Sequence, residues 1–292
     1  MRVSQAVQNY LLARRAELAP HSRRQYRNIL TVAVNTIGPD MAIRALKRRH
    51  VEKWLAGLDQ EPSTIRQRLS VFRGFVRWCL IHGHLKHDPT LGLKAPRIGA
   101  AMPRELSGDE VRRLLEVVPD ARGELIVMLA LVEGMRVGSV AAQLRSDIDL
   151  DGEMMLVTKK KGGGQQWLPL MPDTLEAIRT YYREVPGTTG PLLRSMKQPA
   201  NGLTANYLST LVSCWMHEAG IKHHPRDGRS AHALRHTMAG AMLDEGADIR
   251  DVQDALGHAT LGPTMIYLRR RSAGTRLREV MGRRSYREAE AS

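Results

Sequence analysis

The feature that most constrains the fold is a loop-like stretch about one third of the way along the 292-residue chain. Between residues 88 and 103 the regular spacing of apolar residues is lost. Helix-breaking residues recur there, namely Pro89, Gly92, Pro96, Gly99 and Pro103. Such a composition is typical of a linker. Because 292 residues suffice for two domains of ordinary size, we predict a domain at 1–95, a linker at 96–106 and a second domain at 107–292.

The first 95 residues carry the pattern of a helical domain. Predicted helices cover 4–18, ended by Pro20; 22–36, followed by Gly38; 43–58; and a fourth that begins at Pro62. In the fourth helix, apolar residues at spacings of three and four form one stripe: Ile65, Leu69, Phe72, Val76 and Leu80. Its other face carries four arginines that we predict to contact DNA: Arg66, Arg68, Arg73 and Arg77.

The charge distribution indicates a polyanionic partner. The chain has a net charge of +14 and a pI near 10.3. Residues 1–95 contain 17 Lys or Arg against 6 Asp or Glu, so most of the excess lies in the first domain. A basic domain joined to a nearly neutral one predicts a clamp that holds backbone phosphates of a nucleic acid. The alternative is that the arginines reflect coding bias and solvated helix faces.

The second domain is predicted to be helical with one β-hairpin. Ser107 and Glu110 form the pattern of a capping box, which indicates a helix start. Helices are predicted at 108–117, 121–133, 172–184, 203–219, 231–245, 248–256 and 262–268. Strands are predicted at 153–158 and 165–170, around a tip of three lysines and three glycines at 159–164. A polar tail follows from residue 269.

Six residues of the second domain form the candidate catalytic set: Arg136, Lys161, His232, Arg235, His258 and Tyr267. Arginine forks bind phosphate oxygens, lysine and histidine move protons, and a tyrosine can attack phosphorus. No carboxylate cluster for Mg²⁺ and no GxxxxGK[ST] loop accompanies them in the sequence. The set therefore predicts metal-free phosphoryl transfer on nucleic acid. Each residue alone is more simply explained as a solvated charge or a packing residue, and charge does not decide which hairpin lysine is used.

The order and spacing of these residues resemble the tyrosine recombinase (phage integrase) family. The stretch His232-Ala-Leu-Arg-His-Thr-Met-Ala-Gly, the stretch Leu256-Gly-His-Ala-Thr and the stretch Thr264-Met-Ile-Tyr267 resemble its C-terminal motif. Alignment back from Pro169 assigns the catalytic lysine of the hairpin to Lys161. The resemblance covers nearly the whole chain. It implies a mainly α fold with a small β-hairpin or sheet, in which a helical, SAM-like core-binding domain and an α+β catalytic domain form a C-shaped DNA clamp.

The resemblance also implies a role for each residue. Tyr267 is the nucleophile that forms a 3′-phosphotyrosyl link, Arg136 and Arg235 neutralise the phosphate, and Lys161 protonates the leaving 5′-oxygen. His232 accepts the tyrosine proton or orients the tyrosine, and His258 donates to the phosphate. One departure is Ser139, three residues after Arg136, where the family often has an acidic residue.

The resemblance further implies how the protein works in the cell. The expected partners are double-stranded DNA, other copies of the chain in a homo-tetramer on two paired sites, and an accessory directionality factor. No cofactor, metal or ATP is expected. With only two cysteines, no apolar signal segment and no membrane-length run, we expect a cytoplasmic or nucleoid protein with no membrane partner.

Several alternatives stay open. Within the family we expect an integrase of a phage or other mobile element, and the second interpretation is a Xer-type recombinase that resolves chromosome dimers. Because the core-binding helices start early in this sequence, we expect no amino-terminal arm-binding domain. A type IB topoisomerase and a DNA-binding protein with an inactive site are weaker alternatives. A metal site at Cys79, His82, His84 and His87 is disfavoured because the spacing is irregular.

Overall fold

A computed structural model describes residues 1–98, 104–158, 164–224, 227–257, 260–262 and 264–268. The chain divides into two compact units, residues 1–100 and 101–292. Much of the predicted linker lies outside the described residues. Within the part of the chain that is described, no helix is both long and apolar enough to cross a bilayer.

The described residues of the first unit form four α-helices. They are α1 (Val3–Ala13), α2 (Pro20–Ile37), α3 (Arg48–Ala56) and α4 (Pro62–Ile81), with a short 3₁₀ turn at Ile43–Ala45 before α3. The aromatic side chains Trp54, Phe72 and Phe75 are fully buried at the centre of the unit's core. The rings of Trp54 and Phe72 lie 4.9 Å apart, so α3 packs directly on α4.

Three of the predicted helix limits in this unit were wrong. The first helix spans Val3–Ala13, so it ends well before the predicted limit at residue 18. Pro20 does not end a helix but starts α2, because a proline at the first helical position lacks only an N–H that has no helical partner there. The third helix is interrupted, since Leu46 and Lys47 have extended backbones between the 3₁₀ turn and α3.

The arginines of α4 do not all share one face. An α-helix turns by about 100° per residue, so Arg68 points to nearly the opposite side from Arg66. Arg66 and Arg77 are exposed on the same side. Arg73 is partly buried and donates a hydrogen bond to the carbonyl of Leu93. The one-face prediction was therefore wrong for Arg68, and DNA contact by the four side chains stays a prediction.

The second unit is helical with a small antiparallel sheet. Its helices are α5 (Gly108–Val117), α6 (Ala121–Leu131), α7 (Val137–Val140), α8 (Pro172–Glu184), α9 (Ala205–Glu218), α10 (Ala231–Asp244), α11 (Ile249–Ala255) and α12 (Met265–Leu268). The strands β1 (Ile148–Asp149), β2 (Met154–Thr158) and β3 (Gln165–Pro169) pair in that order. The predicted mainly α fold with a small sheet is confirmed, and so is the capping box at Ser107 and Glu110.

The differences in this unit are small. The two-residue strand β1 was not predicted, because it is too short to show the alternation of a strand. The final helix is limited to Met265–Leu268, shorter than the predicted 262–268. The β2–β3 hairpin is confirmed, but its lysine- and glycine-containing tip at 159–163 lies outside the described residues.

Two hydrophobic clusters support the second unit. The larger one, here called the main core, is built around α6, α8 and α9 and includes Leu129, Ile178 and Met216. The smaller one, here called the tyrosine cluster, consists of Ala239, Leu243, Val252, Leu256 and Tyr267. Helix α10 contributes to both, because its first turns pack in the main core and its last turns in the tyrosine cluster.

Candidate active site

A tight turn between α6 and α7 places Arg136. Gly134 adopts a left-handed backbone with φ of 60°. A side chain there would be strained, and its Cβ would lie 3.0 Å from the sulfur of Met238. Arg136 follows as the N-cap residue of α7, so its side chain leaves the helix at its beginning. Within the described part of the chain, Arg136 makes no ion pair with a carboxylate.

Arg235 is held in place by hydrogen bonds to the protein backbone. It lies on α10 and is only 4% exposed. Its guanidinium donates hydrogen bonds to the carbonyls of Gly134 and Leu256, which satisfies part of its donor set inside the protein. Desolvation, followed by the nearby Arg136 charge, lowers the pKa of Arg235 to about 10. The group therefore remains a cation at neutral pH, and its fixed position suits the binding of an anion.

The two arginines line one open pocket. Its other walls come from the β2–β3 hairpin, including Thr158 and Gln166, and from the end of α11 at Leu256. Two guanidinium groups at one pocket can bind the oxygens of a phosphate group through charge-assisted hydrogen bonds. The pocket is thus a candidate phosphate site built from α7, α10, α11 and the hairpin.

The candidate nucleophile, Tyr267, lies on α12 and is buried, with 3% of its surface exposed. Its ring packs in the tyrosine cluster. Its hydroxyl is 2.7 Å from Nδ1 of His236, a hydrogen bond between α12 and α10. Burial raises the pKa of Tyr267, while the charges of Arg235 and Arg136 act to lower it. The hydroxyl is therefore neutral at neutral pH and would have to lose its proton to act as a nucleophile.

His232 lies one helical turn before His236 and is exposed. The two rings are 5.0 Å apart, edge to face. Partial desolvation, followed by the charges of Arg235 and Arg136, lowers the pKa of His232. His232 is therefore neutral near pH 7 and able to accept a proton. In the described residues, however, the Tyr267 hydroxyl bonds to His236 and not to His232.

The structure brings together four of the six predicted catalytic residues. Arg136 and Arg235 share a pocket, and both charges act on His232 and Tyr267. The other two predicted residues, Lys161 and His258, lie outside the described residues. Their participation stays a prediction.

Sequence reasoning missed His236. Its signal was present, because His236 follows His232 by four residues and so lies on the same face of a predicted helix. A histidine next to Arg235 on that face could have been counted with the candidate set. Only the packing of α12 against α10 shows that His236, rather than His232, contacts the tyrosine hydroxyl.

The departure at Ser139 lies in the wall of the candidate phosphate pocket. Ser139 lines the same pocket as Arg136, so this position supplies a hydroxyl in place of a carboxylate. Two carboxylates, Glu133 and Asp254, line the pocket from other positions. Burial raises the pKa of Glu133, and the N–H of Met171, which donates to it at 3.0 Å, acts in the opposite direction.

Comparison with known proteins agrees with this fold and residue order. The model of the phage integrase family matches residues 104–273, and that of the phage integrase N-terminal SAM-like domain matches residues 7–83. Tyrosine recombinase XerC of Xanthomonas campestris pv. campestris is 30% identical over 216 residues, covering 70% of this chain and 63% of the relative. Tyrosine recombinase XerA of Thermococcus kodakarensis is 32% identical over 183 residues, covering 62% and 63%.

A solved structure shares the fold. The crystal structure of a lambda integrase tetramer bound to a Holliday junction superposes with a TM-score of 0.76 at 19% identity, covering 90% of this chain and 79% of that chain. The chain spans about 63% of the length of the XerC and XerA relatives it matches. The fold, the residue order and the family match agree, and the chain belongs to the phage integrase family of tyrosine recombinases.

Proposed function

We propose that this protein is a site-specific recombinase that cuts and rejoins DNA through a covalent 3′-phosphotyrosyl intermediate. The strongest support for this proposal is the arrangement of Tyr267, a histidine and two arginines. A buried tyrosine hydroxyl, hydrogen-bonded to an imidazole, lies within the field of two arginines that share a single pocket. This arrangement provides a nucleophile and the charge that a phosphodiester requires.

In the proposed cleavage step, the Tyr267 oxygen attacks phosphorus and the bond from phosphorus to the 5′-oxygen breaks. The tyrosine proton passes to a neutral imidazole, for which His232 is our candidate because its ring lies 5.0 Å from that of His236, which contacts the hydroxyl. The departing 5′-oxygen takes a proton from Lys161. Arg136 and Arg235 neutralise the non-bridging oxygens, and His258 donates to one of them.

We also propose that the reaction uses neither a metal nor ATP. The two guanidinium groups neutralise the phosphate, and Lys161 protonates the leaving oxygen. The phosphotyrosyl bond retains the free energy of the phosphodiester, so that a 5′-hydroxyl of another strand can reverse the step. The reverse step regenerates Tyr267 and a joined strand.

The biological role we favour is integration of a phage or other mobile element. In this proposal residues 1–95 bind the core site, residues 107–292 carry the chemistry, and four copies assemble on two paired sites. The basic excess of the first domain supports its DNA-binding role. A Xer-type role is the alternative, and the identity to XerC and XerA, near 30%, is compatible with either.

The proposed chemistry is tested by covalent capture. The wild type, Tyr267→Phe and the matched control Tyr207→Phe are expressed in cells, and DNA adducts that survive SDS are isolated and sequenced. Tyr207 suits the control because it is 47% exposed on α9. We expect adducts from the wild type and the control but none from Tyr267→Phe, which should still bind DNA. Adducts with Tyr267→Phe would refute the nucleophile assignment.

The same adducts distinguish the roles. Cleavage at the end of a mobile element supports an integrase, and cleavage at a single chromosomal site where replicated chromosomes are resolved supports a Xer-type enzyme. Adducts scattered over the genome would instead indicate a topoisomerase.

A further inference from the structure

A hydrogen bond between His236 and Tyr267 connects helix α10 to the candidate nucleophile on α12. The distance from Nδ1 to the hydroxyl is 2.7 Å, and the ring centroids are 5.4 Å apart. His236 is partly buried and lies directly after Arg235 on α10. The contact therefore joins the helix that carries Arg235 to the short helix that carries the tyrosine.

The position of Tyr267 depends on such contacts because α12 is only four residues long. A single helical turn has little stability of its own in water. The ring is held by the apolar side chains of the tyrosine cluster, which fix its burial but do not direct its hydroxyl. In the described residues, the polar contact that directs the hydroxyl is the one with His236.

The two histidines of α10 have different surroundings. His232 is exposed to solvent, and His236 is partly buried against the tyrosine ring. The two histidines also differ in their contact with the tyrosine, because the Tyr267 hydroxyl is hydrogen-bonded to His236. His236 is thus placed to hold the tyrosine hydroxyl, whereas His232 is open to solvent.

We propose that His236 is a positioning residue that fixes the orientation of the Tyr267 hydroxyl through their hydrogen bond. This role rests on the proposed function, because it acts through Tyr267 in the cleavage step. His236 reduces the number of orientations that the tyrosine hydroxyl can adopt before attack. Loss of orientation at a nucleophile is costly, since misplacement by about 1 Å can lower a rate by about 10²-fold.

The hydrogen bond itself is tested first, without any DNA. Imidazole nitrogens are labelled with ¹⁵N, and the Nδ1 resonance of His236 is recorded in the wild type and in Tyr267→Phe, which removes only the hydroxyl. We expect the His236 resonance to shift, while that of the exposed His217 on α9 stays constant. An unchanged His236 resonance would refute the contact and with it the proposed role.

The positioning role is tested by single-turnover cleavage with three variants. His236→Ala should reduce the cleavage rate by about 10²-fold with DNA affinity unchanged. His236→Asn places a polar group near the position of Nδ1 and should recover most of that loss. His217→Ala is the matched control and should cleave like the wild type. Thermal unfolding of each variant shows whether it is folded.

The outcomes separate this inference from the proposed function. Cleavage by His236→Ala at the wild-type rate would overturn the positioning role and leave the recombinase assignment intact. A loss shared equally by a folded Asn variant and the Ala variant would also count against positioning through this hydrogen bond. Absence of a covalent adduct in the wild type would refute the proposed function instead, and the NMR comparison would still decide whether His236 holds the tyrosine.

Discussion

The two halves of the candidate site are supported by very different amounts of protein. Arg136 follows α6, which lies in the main core, and Arg235 is fixed by hydrogen bonds to two carbonyls. Tyr267 is supported by the five-residue tyrosine cluster and by one histidine. The half that contains the two arginines is therefore supported by the main core, whereas the candidate nucleophile is supported by a small cluster.

This difference indicates how activity can be controlled. Regions with few buried apolar contacts open at lower free energy than the main core of a domain. We therefore expect the tyrosine cluster to open at a lower free energy than the main core. Helix α10 links the two halves, because its first turns pack in the main core, its last turns pack in the tyrosine cluster, and His236 lies between them.

The largest effect is expected from Arg235→Lys, which alters the fixed half. A lysine keeps the charge but cannot donate to the carbonyls of Gly134 and Leu256 while also presenting a fork to phosphate. We expect single-turnover cleavage to fall by about 10²–10³-fold. Arg179→Lys, at a half-exposed arginine of α8, is the control and should have no effect. Wild-type cleavage by Arg235→Lys would show that rigid presentation of the arginine does not matter.

A matched pair of valines tests the comparison directly. Val127 in the main core and Val252 in the tyrosine cluster are both fully buried. Val127→Ala should lower the free energy of unfolding by about 2 kcal/mol, because two buried methyl groups are lost and a rigid core leaves a cavity. Val252→Ala should lower it less, since a small cluster relaxes more easily, yet should reduce cleavage more.

Both valine variants are measured by denaturant unfolding and by single-turnover cleavage. If Val252→Ala were as destabilising as Val127→Ala and left cleavage unchanged, the two halves would not differ in the way we infer.

The smallest effect concerns the pH dependence of His232. Because its folded-state pKa is lowered by desolvation and by the two arginines, His232 stays neutral below the ordinary value of 6.5. If neutral His232 accepts the tyrosine proton, cleavage should be constant as pH falls toward 6.5 and decline only below it. An NMR titration should give a midpoint below 6.5, and Arg136→Gln should move that midpoint upward. A midpoint above 6.5 would contradict this description of the site.

Much of the fold could be predicted because local signals agreed with the packing. The helix at 172–184 begins at a proline and was predicted to the residue, and the capping box at Ser107 was correct. The helix limits were predicted wrongly where one residue type is compatible with two different local structures. Pro20 is compatible with either the end or the start of a helix, and only the packing of α2 decides between them.

The site shows the same limit. The residue types and order sufficed to select Arg136, Arg235, His232 and Tyr267. They did not reveal which histidine contacts the tyrosine, because that depends on how α12 packs on α10. The sequence shows which residues share a helix, but it does not show which residues of different helices are in contact.

Arg235 has a consequence for the interpretation of inactive variants. Its guanidinium bonds at once to the turn before Arg136 and to the carboxyl end of α11, two segments far apart in the chain. It therefore acts as a non-covalent cross-link as well as a charge. A variant without it would lose the alignment of both segments, so its inactivity would overstate what the positive charge alone contributes. A neutral side chain that still donated to both carbonyls would measure that contribution separately.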